Sequence, residues 1–222
     1  MENRFSDKQF EIVEAAREHV PGMASCYMAA FPTALIVILG DYFLRGLCKT
    51  FVKSSKGFGL VAVDKQSGAV VGMIIGGDPR LRGRYLLTRT LHIVAVAAWK
   101  SATSTSARHR LWHHAVDLAV RYRILTPRRY SRAPTAPKTG LGILQALAVR
   151  PEYRRRGIAR GLTEMFVAQC AARGYSKIRL TTESDNTPAI KLYTSCGWKL
   201  IGGRGEMRYF SLQINSQARK EA

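Results

Sequence analysis

The feature that most constrains this chain is a strand, a charged loop and a helix in immediate succession. Ile143 to Val149 is an apolar run broken only by Gln145, which fits a strand buried on both faces. Arg150-Pro151 ends it, because proline removes a backbone donor and restricts the residue before it. Further on, Ile158, Leu162, Met165, Phe166 and Gln169 trace a helix, which Gly174 is placed to end in the left-handed conformation. The intervening loop carries Arg154, Arg155, Arg156 and Gly157. Three consecutive arginines at a helix N-terminus face the positive end of the macrodipole, which disfavours each by about 0.3–1 kcal/mol. A sequence that keeps them there expects an anion. Gly157 and the small Ala159 let exposed backbone N–H groups approach a diphosphate, with the arginines adding fixed charge around it.

The rest of the chain reads as one α/β domain, residues 1–222, around this unit. Phe10 to Ala15 reads as a first strand, and Val20, Met23, Tyr27, Met28 and Phe31 recur at helical spacing until Pro32. Leu35 to Phe51 reads as one amphipathic helix, bent near Gly40. Phe58 to Asp64 and Ala69 to Gly76 form a hairpin about a polar turn closed by Gly68. Lys177 to Thr182 reads as a strand, Thr187-Pro188 as the cap and first turn of a helix closed by Gly197, and Trp198 to Ile201 with Met207 to Ile214 as a closing pair.

Between the hairpin and the central strand, residues 78–140 stand apart. Helical stretches are expected around Leu86 to Trp99 and Arg108 to Arg123, followed by a proline-rich connector. From Arg80 to Arg132 there are 12 Lys or Arg against one acid, Asp117, within a chain of net charge +20. Such density repels itself unless an anionic partner is near. The apolar run Leu91 to Trp99, too short to span a bilayer, suits a helix resting at an anionic membrane surface. Trp99 and Trp112 among the arginines suggest a nucleic-acid surface, but no recognised binding motif supports it and packing of the insertion is the simpler reading. His109 and His113, one helical turn apart, lack a third ligand, and the four cysteines show no metal spacing, so no metal is expected. The cysteines read as small buried hydrophobes of a reduced compartment. With a polar N-terminus lacking a signal-peptide core, they point to a cytoplasmic address, peripheral to the membrane if the insertion docks there.

A second constellation follows the loop. Asn186 precedes a helix in which Ala189, Leu192, Tyr193 and Cys196 fall on one face, so Tyr193 is buried, and Gly197-Trp198 ends it. A core tyrosine is the plain reading of that pattern. A phenol with an ordinary pKa near 10 is also a competent proton donor to a departing thiolate.

Arg154, Gly157 and Ala159, followed in register by Asn186, Ala189, Leu192-Tyr193 and Gly197-Trp198, resemble the paired motifs of the GNAT superfamily of acetyl-CoA-dependent N-acetyltransferases. The resemblance is strong over about residues 141–214. It implies a mixed, bent central sheet flanked by helices, in which the strand at Ile143–Val149 splays from that at Lys177–Thr182. It further implies that acetyl-CoA enters the gap, its pantetheine arm pairing with backbone at Leu147 and Val149. The diphosphate would rest on Arg155, Arg156, Gly157, Ile158 and Ala159 beside Arg154, with Asn186 at the cofactor and Tyr193 near its sulfur. A neutral amine would attack the thioester while Tyr193 protonates the thiolate. One departure matters: many relatives carry a glutamate base on the central strand, whereas the corresponding stretch here, Ile143-Leu144-Gln145-Ala146, has no carboxylate. Glu183 is a candidate base, with a plain strand-end carboxylate as the alternative.

The acceptor is not specified by fold. An anionic one is expected from the charge, with an amino sugar on a nucleotide or lipid carrier placed first. A protein amine and aminoacyl-tRNA follow, and a non-catalytic relative that docks on membrane or nucleic acid is the rival from another class.

Overall fold

The computed structural model describes residues 9–89 and 140–214. Phe10–Glu14 (β1), Gly57–Asp64 (β2) and Val70–Gly77 (β3) pair antiparallel in sequence order, β2 turning into β3 where Gly68 takes φ +68°. Leu141–Val149 (β4) runs antiparallel to β3 and parallel to Lys177–Glu183 (β5). Met207–Gln213 (β7) pairs antiparallel with β5, and Lys199–Arg204 (β6) forms the far edge, giving the order β1-β2-β3-β4-β5-β7-β6. The sheet is mixed and flanked by helices, as expected.

Val20–Ala30 (α1), Leu35–Ile38 (α2), Asp41–Lys53 (α3) and Arg80–Thr88 (α4) precede β4, and Ile158–Ala172 (α5) and Thr187–Ser195 (α6) follow it. One core cluster packs Met23, Cys26, Phe43, Leu47 and Phe51 of α1 and α3 against Val61, Met73, Ile75 and Ala148. The other packs Leu162, Phe166 and Cys170 of α5 against Leu60, Ala62, Ile74 and Leu144, and runs on through Ile178, Leu180, Tyr193, Trp198 and Phe210. Strands with both faces buried must be apolar throughout, which is why β2 and β3 carry no alternation. Gly76 is required by that packing, since a Cβ there would collide with the Phe166 ring and the Ile143 carbonyl.

Three local expectations change. The helix expected over Leu35–Phe51 is broken rather than bent, because Gly40 takes φ +96°, outside any helical conformation, and separates α2 from α3. The cap of α6 is Asn186 rather than Thr187: its Oδ1 accepts the Ala189 amide at 3.2 Å. Of the expected insertion, the helix Arg80–Thr88 is described, starting six residues before the predicted Leu86. Trp99, His109, Trp112, His113 and the stretch Arg108–Arg123 lie outside the described residues.

The centre of the sheet is not continuous. β4 and β5 pair only at Leu141–Lys177, Gly142–Ile178 and Ile143–Arg179. Beyond Ile143 the two strands part, β4 keeping β3 as its partner and β5 keeping β7. Ile75 pairs with Ala146 and Gly76 with Leu144, so Gln145 is an extra residue in β4, a bulge just past the point of parting.

Candidate functional site

The parting of β4 from β5 exposes backbone in the middle of a sheet. The Arg150 amide donates to the Val71 carbonyl at 2.9 Å, toward β3. Backbone polar groups alternate sides along an antiparallel strand, so those of Ala148 also face β3 and those of Leu147 and Val149 face the gap. Gln145, Ala146 and Leu147 are accordingly only half-buried, although their strand is central. The gap-facing row is the kind of edge to which an extended chain adds as a strand.

At the open end of the gap, residues 150–157 form the loop singled out by the sequence. Arg154 turns inward: its Nη2 donates to the Ala30 carbonyl at 3.1 Å and its Nε to the Val149 carbonyl at 3.4 Å. It clamps the end of α1 to the end of β4. Arg156 donates to Gln9 Oε1 and the Glu152 carbonyl, and lies over the Tyr153 ring at 5.2 Å. Arg155 is exposed, makes no hydrogen bond to another described residue, and has φ +65°, a left-handed conformation uncommon for a non-glycine residue. Gly157, at φ +80°, caps α5, and a Cβ on it would meet nothing within 4 Å. The loop therefore presents left-handed backbone, the first unpaired N–H groups of α5 and one free guanidinium to open space.

Helix α6 sits beside this end, tied to α5 by Arg160 Nη2, which donates to Ser195 Oγ at 2.9 Å. Tyr193 is 6% exposed, its ring 5.8 Å from Trp198 and 6.1 Å from Phe210. Burial, reinforced by the nearby Cys196 thiol, pushes its phenol well above the ordinary range, so it keeps its proton at all physiological pH. Asn186 uses its side-chain oxygen as the cap of α6. Glu183 is exposed at the end of β5, where the next amide, of Ser184, donates to the Glu206 carbonyl at 2.7 Å.

Two features of the site carry no signature in the sequence. The bulge at Gln145 depends on register, which the apolar run does not encode. Tyr27 of α1, whose ring lies 5.1 Å from Phe31, has its phenol raised by burial, opposed by Arg82 and reinforced by Glu183. Helical spacing alone marks the Tyr27 neighbourhood only as a buried stripe. Among the described residues no group of three or more His, Cys, Asp or Glu could hold a metal ion, and no helix is long and apolar enough to cross a membrane.

The site thus lies on a mixed α/β sheet split at its centre, with a glycine-capped helix at the open end, and comparison with known proteins gives this scaffold its family. The model of the acetyltransferase (GNAT) family matches residues 24–198, and the chain belongs to this family. Among solved structures it is similar to a GCN5-related N-acetyltransferase from Kribbella flavida, with TM-score 0.59, 16% identity, and coverage of 94% of this chain and 100% of that one. The ribosomal-protein-S18-alanine N-acetyltransferase from Escherichia coli gives TM-score 0.54 at 14% identity, covering 93% and 94% of the two chains. These likenesses establish the fold. Among curated proteins, the mycothiol acetyltransferase of Tsukamurella paurometabola is 39% identical over 62 residues, which are 28% of this chain and 21% of that relative's length.

Proposed function

We propose that this chain transfers the acetyl group of acetyl-CoA to a primary amine. The observation that carries the reading is the gap itself: a row of backbone groups at Leu147 and Val149 with no strand opposite, leading to a loop that offers N–H groups and charge at its open end. The residues present fit the co-substrate. Leu147 and Val149 would hold the pantetheine amides, while Arg155, Arg156, Gly157, Ile158 and Ala159 would hold the diphosphate. Arg154 acts from behind, fixing the loop to α1 and β4, and Asn186 fixes the start of α6.

What the co-substrate supplies is an acetyl group activated as a thioester. The protein's part is positioning and proton management. Tyr193 holds a proton on a buried, uncharged phenol; burial makes it a weaker acid than an ordinary phenol, and it is nonetheless the group assigned here to protonate the departing thiolate. The bulge at Gln145 leaves backbone groups out of the β3–β4 ladder beside the gap, where a donor is of use to a carbonyl oxygen gaining charge. Proton removal from the amine falls to Glu183 or to water, since β4 offers only the Gln145 amide where a carboxylate would serve. The whole chain is one acetyltransferase domain, and the basic stretch between β3 and β4 is an insertion that serves the acceptor rather than acetyl-CoA.

The test is Gly157→Glu, which places a carboxylate where the diphosphate is proposed to sit. Gly157→Asn is the control, because asparagine tolerates the left-handed conformation. Calorimetry with acetyl-CoA is expected to show at least about tenfold weaker binding to the glutamate variant than to the asparagine variant, about 1.4 kcal/mol. Equal affinities in two folded variants would place the diphosphate elsewhere.

A further inference from the structure

Among the described residues, helices cover only one face of the half-sheet beyond the gap. Ile178, Leu180, Phe210 and Leu212 pack into the cluster beside α6, so Arg179, Thr181, Tyr209 and Ser211, which alternate with them, occupy the opposite face. The described helices on that side, α1, α3 and α4, pack over β2, β3 and β4. This face, bare of described helices, carries a groove of about 240 Å³ lined by Arg179, Thr181, Ile201 and Tyr209 with Leu180 and Phe210. Ile201 is 51% and Tyr209 36% exposed, apolar surface left in the open beside the site.

Polar groups in and beside the groove have no partner among the described residues. Arg179 makes neither an ion pair nor a hydrogen bond with another described residue. Opposite it in the ladder stands Ser211, 6% exposed, its buried hydroxyl without a hydrogen-bond partner. Thr181 pairs with Tyr209 one step closer to the mouth. A guanidinium without a partner among the described residues, with the Thr181 hydroxyl beside it and no carboxylate in the lining, is a receptor for a carboxylate or phosphate, which arginine grips with two N–H groups at once. The position of the groove relates it to the chemistry, because Arg179 is also the last β5 residue paired with β4, opposite Ile143 at the root of the gap. The Gln145 bulge lies two residues along β4 from there, a rise of about 7 Å.

We propose that this groove is an acceptor subsite in which Arg179, with Thr181, holds a carboxylate or phosphate of the acceptor, Tyr209 and Ile201 packing against its body. The separation selects an acceptor whose anionic group lies several bonds from its amine, not on the same carbon. The proposal rests on the acetyl-transfer reading for the identity of the ligand as acceptor, but not for the anion site itself.

Two pairs of probes differ only in the anion: glucosamine 6-phosphate against glucosamine, and trialanine with a free carboxylate against its C-terminal amide. Thiol release from acetyl-CoA is followed for wild type, Arg179→Gln and Arg179→Lys. The wild type is expected to favour an anionic member, the favoured pair telling phosphate from carboxylate. Arg179→Gln is expected to raise its KM about 10- to 100-fold, leaving the neutral member, kcat and acetyl-CoA affinity unchanged, with Arg179→Lys between. No preference for either anion, or a preference that survives Arg179→Gln, overturns the subsite. Calorimetry of the same anions on the CoA-saturated protein separates the two readings. If anions bind the wild type and not Arg179→Gln while no amine is acetylated, the groove stands and acetyl transfer to these amines falls. If no anion binds in the millimolar range, the groove falls regardless of activity.

Discussion

Tyr193 is a core residue by its packing and, in the proposed reaction, also the proton donor. Its ring packs against Trp198 and Phe210 as any buried tyrosine would, and the same burial holds its phenol protonated. Tyr193→Phe removes the proton and keeps the ring, so fold and acetyl-CoA affinity should survive while kcat falls about 10²- to 10⁴-fold, the usual worth of general acid catalysis. Single-turnover acetyl transfer under conditions where chemistry limits the rate measures this, and an unchanged rate removes Tyr193 from the mechanism. Because the folded pKa is raised, the rate should show no alkaline limb from this group below about pH 10. The other residues separate according to what sequence can carry. Tyr193, Gly157 and the arginine run are legible because type and spacing mark them. The inward turn of Arg154 is not, because nothing local distinguishes an arginine that clamps two carbonyls from one that meets a ligand.

At the scale of elements, the strand positions follow directly from apolar runs and turn residues, and the ends of β1, β2, β3 and β5 fall within a residue or two of the pattern. The sheet's parting does not follow from them. The segment from Ile143 to Val149 reads the same whether it has two neighbours or one, and both the bulge and the gap are properties of register and partner. The break at Gly40 was visible as a glycine in a helical pattern, but its sign, a full stop rather than a bend, comes from φ +96°. Helix α6 offers a clean test at this scale. Asn186→Ala removes the acceptor for the Ala189 amide and should cost about 1 kcal/mol of stability in urea titrations, most of it recovered in Asn186→Ser. If the alanine variant is as stable as wild type, the cap does not hold the helix.

Across the whole molecule, burial of thiols couples stability to pH. Cys26 is raised to about 11, and Cys48 and Cys170 to about 12, in each case chiefly by burial. In the unfolded chain these thiols ionise from about pH 8.5, so above that the unfolded state has released protons that the folded state still holds. Stability must therefore fall as pH rises from about 8.5 toward 11–12, by up to about 1.4 kcal/mol per pH unit for each thiol, and these groups contribute no slope below it. Urea midpoints at pH 8, 9.5 and 10.5 in the wild type and in Cys170→Ala check the sign. The slope should be shallower in the variant, and a midpoint that holds steady to pH 10.5 would contradict it.

An open sheet ordinarily has two edges, and each is a place where a stray chain can attach. Among the described residues this one has four. β1 and β6 bound it on the outside, and inside the molecule β4 beyond Ile143 is a third edge that faces a fourth, β5 beyond Arg179, across the gap. The outer edge at β6 is roughened by a bulge between Leu200 and Gly202, which spoils it as a template. The inner edges need no such disruption, because their recess excludes partners by girth: the backbone and side chains of another protein's strand must fit between two strands still joined at their root, whereas a thin, unbranched amide chain need not displace either. The split that exposes these backbone groups thus also recesses them, and the three residue pairs that hold β4 to β5 set the width of chain that can reach them.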